Sequence, residues 1–422
     1  MIDIAFVISF AFIGTILGCI TGLVPGFHVN NLALLLLSAS PSILAFLSPC
    51  GELASLLVGA MVVSASIAHT FVNIIPSTFI GAPEEDTALV LLPAHSMLLE
   101  GRGYGAISLS AVGSFGAAVM AFLFVVPFRF TLCSPLNLYW VIRRIMPWIL
   151  LAITLILVLT EKSGKHIVYA ALIFSLSGIF GMEILHMNSH SIVGMEVSLL
   201  FPALAGLFGV PTLLHSFSSP SLPEQIIEEE TAPGSWKDIA AGTVSGAFVS
   251  ILPGVTSAVA TIMAMVARRK SDRKNVIVTL SSVNTATSFF VLVVLFMVER
   301  ARSGSAIVLG ELMDVERWSG TLPPQSLCYL MISVIVSAIV SYHATKFLGR
   351  IIAAHISRIS YGTIAKSSVA LISAMVLAFT GLTGIVVLIT GTLIGMLCLE
   401  LRVRRSLGMG VLILPIMLTY FL

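Results

Sequence analysis

Apolar residues run along this chain in long stretches at 4–47, 52–75, 104–127, 146–161, 166–185, 190–216, 237–267, 276–298, 324–345, 367–381, 383–401 and 406–422. Most are long enough for a helix to cross the ~30 Å hydrocarbon core of a bilayer. The short alternating segments of a transmembrane β-barrel do not occur. The pattern predicts an all-α polytopic membrane protein. Two stretches, 4–47 and 237–267, are interrupted by Pro25-Gly26 and Pro253-Gly254. Proline removes a backbone donor and glycine accepts turn angles. Each of these stretches therefore reads as a re-entrant hairpin, two helices meeting at a break within the membrane.

Composition agrees. Hydrophobic residues make up 57% of the 422 and charged residues 10%, where a soluble domain carries about a quarter charged. That excludes a soluble globular enzyme, and a net charge of +2 gives no basis for binding nucleic acid. The five cysteines are scattered without a CxxC pair and read as small buried apolar residues. No phosphate loop, zinc motif or Ser-His-Asp pattern appears, so neither an enzyme nor a metal site is expected. With the hairpins non-crossing and the N-terminus outside, ten single crossings follow. Sixteen of the 22 basic residues then fall inside, as the positive-inside rule requires, while Arg129, Arg143, Arg144, Arg300, Arg302 and Arg317 fall outside. Both termini are placed on the extracytoplasmic side of the plasma membrane. The acidic segment 217–236, with Glu228, Glu229 and Glu230, forms a cytoplasmic linker between an N-terminal repeat, 1–216, and a C-terminal repeat, 237–422. Lys346–Lys366 reads as an interfacial amphipathic helix.

Three matches recur in order across the linker. Gly14-x3-Gly18-x6-Pro25-Gly26 matches Gly242-x3-Gly246-x6-Pro253-Gly254. Val72-Asn73-x3-Ser77-x-Phe79 matches Val283-Asn284-x3-Ser288-x-Phe290. Arg102-x2-Gly105-Ala106-Ile107 matches Arg302-x2-Ser305-Ala306-Ile307. Each half then holds about five crossings and one hairpin. An odd number of crossings inverts the second half relative to the first. Inverted repeats with broken helices in matching places are the signature of secondary transporters, because broken backbone is tolerated at membrane depth only where it lines a cavity.

The candidate substrate-binding residues follow from the breaks: Pro25, Gly26, His28, Asn30 and Asn31 in the first, Pro253, Gly254, Thr256 and Ser257 in the second. These are small neutral donors at helix starts, suited to a carboxylate or phosphate. A second set, Asn73, Ser77 and Thr78 with Asn284, Thr285, Thr287 and Ser288, offers oxygens to the substrate or to a coupling sodium ion. A proton coupled through a histidine is the alternative. No other cofactor is expected.

Gly14-x3-Gly18-x3-Gly22-Leu-Val-Pro-Gly26, then Asn73-Ile-Ile-Pro76, then a polar loop into Gly101-Arg-Gly-x-Gly-Ala-Ile107, resembles the large permease of the tripartite tricarboxylate transporters, the TctA family. Leu252-Pro-Gly-Val-Thr-Ser257 fits it as well. The resemblance implies secondary active transport of a small organic anion such as citrate, by alternating access, coupled to a sodium or proton gradient. It also implies two partners, a small membrane subunit and an extracytoplasmic binding protein; a homo-oligomer is a further option. Ser77 where the family usually has glycine, and Leu92-Pro-Ala-His95 in place of the usual Asp-Gly-Tyr-Pro loop, mark a divergent member. The alternative reading is a flippase for an anionic lipid such as a polyprenyl phosphate, with the same tips holding the phosphate.

Overall fold

A computed structural model describes residues 4–24, 29–51, 53–81, 91–187, 189–190, 196–197, 199–215, 222–251, 257–268, 272–299, 301, 303–358 and 361–421. The first half holds α1 (Ile4–Gly22), α2 (Val29–Phe46), α3 (Leu53–Val72), α4 (Ile74–Phe79), α5 (Leu91–Leu99), α6 (Gly103–Leu132), α7 (Leu138–Leu159), α8 (Gly164–His186), α9 (Leu200–Leu204), a π-helical turn at Ala205–Gly209 and α10 (Val210–His215). The second half holds α11 (Ser235–Ser250), α12 (Ser257–Arg268), α13 (Arg273–Val298), α14 (Gly304–Leu312), α15 (Gln325–Ile356), α16 (Tyr361–Glu400) and α17 (Gly410–Phe421). The β structure among the described residues is one two-residue pairing, Ser189–His190 with Glu196–Val197.

Among the described residues, seven helices are long and apolar enough to cross a membrane, and three shorter apolar helices lie at Arg144–Leu159, Leu200–Leu214 and Arg405–Thr419. α1, with 19 residues, is itself of spanning length, whereas α11 and α12 have 16 and 12. α16 breaks at Gly381, whose φ of 64° and ψ of −158° belong to a region open essentially to glycine alone. The expected interfacial helix at Lys346–Lys366 is corrected. Lys346, Arg350 and His355 ride the last turns of the continuous α15, where Gly349 packs against Ile107 of α6 and Lys346 pairs with Glu229.

α3 and α13 form the centre and are buried on nearly every side, as expected of helices apolar all round. Glycines set their closest neighbours. A Cβ on Gly14 or Gly18 of α1 would overlap the carbonyl oxygens of Met61 and Ala65; on Gly242 or Gly246 of α11 it would meet those of Thr279 and Val283 at 2.7 and 2.8 Å. These are the small-x3-small contacts by which membrane helices approach closely. The glycines are 228 positions apart and their carbonyl partners 218. The Gly14/Gly242 match therefore recurs in three dimensions. The Asn73/Asn284 match does not, because the contacts set Asn73 against Val291, seven residues and two turns away. Arg102 and Arg302 likewise precede unlike elements, the 30-residue α6 and the nine-residue α14.

The halves exchange helices. Ser282 of α13 donates to the Gly113 carbonyl of α6 at 3.0 Å, and Ser64 of α3 donates to the Ser333 carbonyl of α15 at 3.3 Å. A second exchange lies outside the centre. Gly206 and Gly395 sit on the carbonyls of Leu388 and Leu207, while Gly410 and Gly181 sit on those of Phe174 and Val411. Contacting residues also give direction. Ser110 and Phe122 of α6 and Cys133 at its end meet Ser281, Phe289 and Met297 of α13 in rising order. Gly59 and Ser64 of α3 meet Leu330 and Ser333 of α15 in rising order. Ile107 and Phe115 of α6 meet Gly349 and Tyr342 of α15 in falling order. α3 thus runs antiparallel to α13.

Candidate functional site at the crossing of the two central helices

α3 ends in a turn at Asn73 and continues as α4 through Pro76. Proline lacks an N–H, and one residue on, the Asn73 carbonyl accepts both the N–H of Ser77, at 3.5 Å, and its hydroxyl, at 2.9 Å. One turn earlier, Thr70 donates to the Ile67 carbonyl at 2.8 Å and lies 3.3 Å from the Thr285 hydroxyl of α13. Either hydroxyl can donate in this contact between the two helices. Asn73, Ser77, Thr78, Asn284 and Thr285 are all buried. The Nδ2 of Asn73 and the hydroxyls of Thr78 and Thr287 lack hydrogen-bond partners among the described residues. Buried polar groups are rarely left so, and a polar ligand would satisfy them.

Two histidines adjoin this crossing. His69 Nδ1 lies 3.3 Å from the Thr21 hydroxyl of α1. His95 of α5 has Nδ1 3.2 Å from the Thr78 carbonyl, which can only accept, so Nδ1 carries the proton. Burial pushes the His95 imidazole below its usual range; the Thr78 carbonyl opposes this and the Arg405 charge adds to it.

The two breaks are only partly covered. Pro25, Gly26, His28, Pro253, Gly254 and Thr256 lie outside the described residues, and Asn30 and Asn31 stand in the first turn of α2 with their side chains outside what is described. Ser257 opens α12, is buried, and its carbonyl accepts from Thr261. Gly22, just before the first break, lies against His69, Val72 and Asn73. The structure thus brings the approach to the first break beside Asn73. In the second half Gly246 lies against Val283, Ala286 and Thr287, so Asn284 and Thr285 sit level with it, before the break at Pro253. Sequence reasoning missed Thr70 as the link between the halves and His95 as a buried neighbour of Thr78. The clue available was a hydroxyl or imidazole within an otherwise apolar helix.

The linker closes one end of this assembly. Gln225 accepts from the Gly103 N–H at 2.9 Å, capping a donor that has no partner within α6, and the Ile226 N–H donates to the Gly101 carbonyl at 2.7 Å. Arg102, just before α6, donates through Nε to Glu230 at 2.6 Å, and Lys274 of α13 donates to the same carboxylate at 2.6 Å. Arg273 pairs with Glu100 and Lys346 with Glu229, both at 2.5 Å. Asp238, 1% exposed, pairs with Arg268 at 3.0 Å and accepts from Asn275.

Uncharacterized protein MJ1079 of Methanocaldococcus jannaschii is 28% identical over 416 residues, which covers 97% of this chain and 98% of that one. No solved structure matches. The profile of the tripartite tricarboxylate transporter TctA family matches residues 8–410. This multi-pass membrane chain belongs to the tripartite tricarboxylate transporter TctA family.

Proposed function

We propose that the chain is the permease of a secondary active transporter for a small organic anion, a carboxylate, driven by a sodium or proton gradient. The observation that carries this reading is the crossing of α3 and α13, where Thr285 reaches Thr70 beside Asn73, Thr78 and Thr287 with their unpartnered polar atoms. Substrate and coupling ion meet at this crossing, Pro25–Asn31 and Pro253–Ser257 closing on the anion from the two halves. The halves are inverted repeats. Their twofold exchange of helices and the opposed directions of α3 and α13 support this. Two halves packed alike but facing opposite ways give inward-open and outward-open states of similar energy, which alternating access requires.

The linker lies on the cytoplasmic side and both termini outside, in the plasma membrane, as the distribution of basic residues favours. Family membership supports assembly with a small membrane subunit and an extracytoplasmic binding protein. Uptake of labelled citrate and succinate into proteoliposomes, with sodium, proton or no gradient, tests the reading. Gradient-dependent uptake, lost in Asn73→Ala and in Gly254→Val, is expected. Absence of uptake of any organic acid by folded protein under every gradient overturns it, and so does gradient-independent scrambling of a fluorescent anionic lipid as the sole activity.

A further inference from the structure

Arg129 stands in the last turn of α6, at the end remote from the linker, and is only 6% exposed. Its Nη2 donates to the Ser319 carbonyl. Its guanidinium lies 5.0 Å from the Phe130 ring centre and 5.9 Å from that of Trp318. Among the described residues no carboxylate pairs with it, and its Nε has no acceptor. The indole N–H of Trp318, 2% exposed, also lacks one. Ring faces and one carbonyl offset only part of the desolvation cost of a buried cation, and a counter-ion would offset more of it.

Both side chains line a cavity of about 260 Å³ between the ends of α6 and α13, together with Arg317, Cys133, Asn137 and Trp140. Among the described residues no acidic one lines it. Burial raises the Cys133 thiol above its usual range while the charges of Arg129 and Arg317 oppose the rise. Two guanidiniums, an indole N–H and an amide around one cavity make a donor set for a carboxylate, whose paired oxygens match the guanidinium fork.

We infer that this cavity is a second anion site, an entry subsite that holds a free small carboxylate before it reaches the crossing of α3 and α13. The inference rests on the transporter reading for the choice of ligand. A free anion fits better than an acidic side chain of a partner protein, because the unpartnered donors are set within the cavity wall.

The test is the rate at which N-ethylmaleimide alkylates Cys133 in the full chain in nanodiscs, mapped by mass spectrometry. Succinate and citrate are compared with neutral succinamide at matched ionic strength. Succinate or citrate is expected to slow alkylation and succinamide to leave it unchanged. Arg317→Gln, on an exposed side chain, should weaken this protection about tenfold, the effect of one hydrogen bond to a charged group. Trp318→Phe keeps the ring, removes the N–H and should weaken it several-fold. No slowing by either carboxylate overturns the inference. So does equal protection in both variants, or protection by an acidic peptide but not by free carboxylates. Gradient-driven uptake without protection overturns this site alone, whereas protection without uptake under any gradient overturns the transporter reading and leaves the site standing.

Discussion

Gly18 packs directly on the carbonyl oxygen of Ala65, leaving no room for a Cβ. Gly246 repeats the relationship with Val283 less tightly, at 2.8 Å. Gly18→Ala is expected to lower stability by ~1–3 kcal/mol, as forced overpacking does, and Gly246→Ala by less. Thermal unfolding in detergent reads both. Equal losses, or none at Gly18, would show that α1 moves off α3 freely.

Glu230 makes stability depend on pH. Burial raises its carboxyl, but hydrogen bonds and charges from Lys274 and Arg102 outweigh that and hold it below its ordinary value of 4.5. A carboxylate depressed in the folded state contributes stability that is complete above the unfolded value and is lost as pH falls through the folded one. Melting temperature should therefore fall with pH below about 4.5, and Glu230→Gln should flatten that fall while lowering stability at pH 7. An unchanged slope in the variant would remove Glu230 from the account.

Asp238 ties α11 to both α12 and α13. Asp238→Asn leaves Arg268, 23% exposed, without its counter-ion. The expected loss is up to ~3 kcal/mol, at the low end for a broken buried pair because Arg268 retains some solvent. In a double-mutant cycle with Arg268→Gln the losses should fall short of additivity by roughly 1–3 kcal/mol. Strict additivity would mean that the pair contributes nothing.

Gly381 divides α16 with a backbone conformation that a side chain resists. Gly381→Ala is expected to cost ~1–3 kcal/mol, measured by thermal unfolding, whereas Gly310→Ala, at a helical glycine with open space around its Cβ position, should cost nothing or stabilise. A Gly381→Ala protein as stable as the parent would show that the break is not required.

The glycine contacts were legible in part. Gly14-x3-Gly18 and Gly242-x3-Gly246 make the same kind of contact because close approach of two helices requires small residues at that spacing. Asn73 and Asn284 pair wrongly for a physical reason. Seven residues are almost two full turns of an α-helix, so a match seven positions out of register presents the same face and keeps the same hydrophobic pattern. Only the backbone contacts of Gly18 with Ala65 and Gly246 with Val283 exclude it. Arg102 and Arg302 resemble each other because Gly/Ser-Ala-Ile begins helices of any length. The charges at Lys346 and Arg350 suggested an interfacial helix, but Gly349 seats α15 on Ile107 of α6 and keeps the helix continuous.

The sequence by itself determined that this chain is a helical membrane protein, where most of its helices lie, and that Pro-Gly interrupts two of its apolar stretches. Hydropathy summed over some twenty residues settles spanning, and proline and glycine act on the backbone locally. Tertiary structure alone decided the register between the halves, the exchange of helices between them, the link from Thr70 to Thr285, and the burial of Arg129 against Trp318. Those depend on which surfaces exclude one another at close approach, and residues more than a hundred positions apart carry no trace of that in linear order.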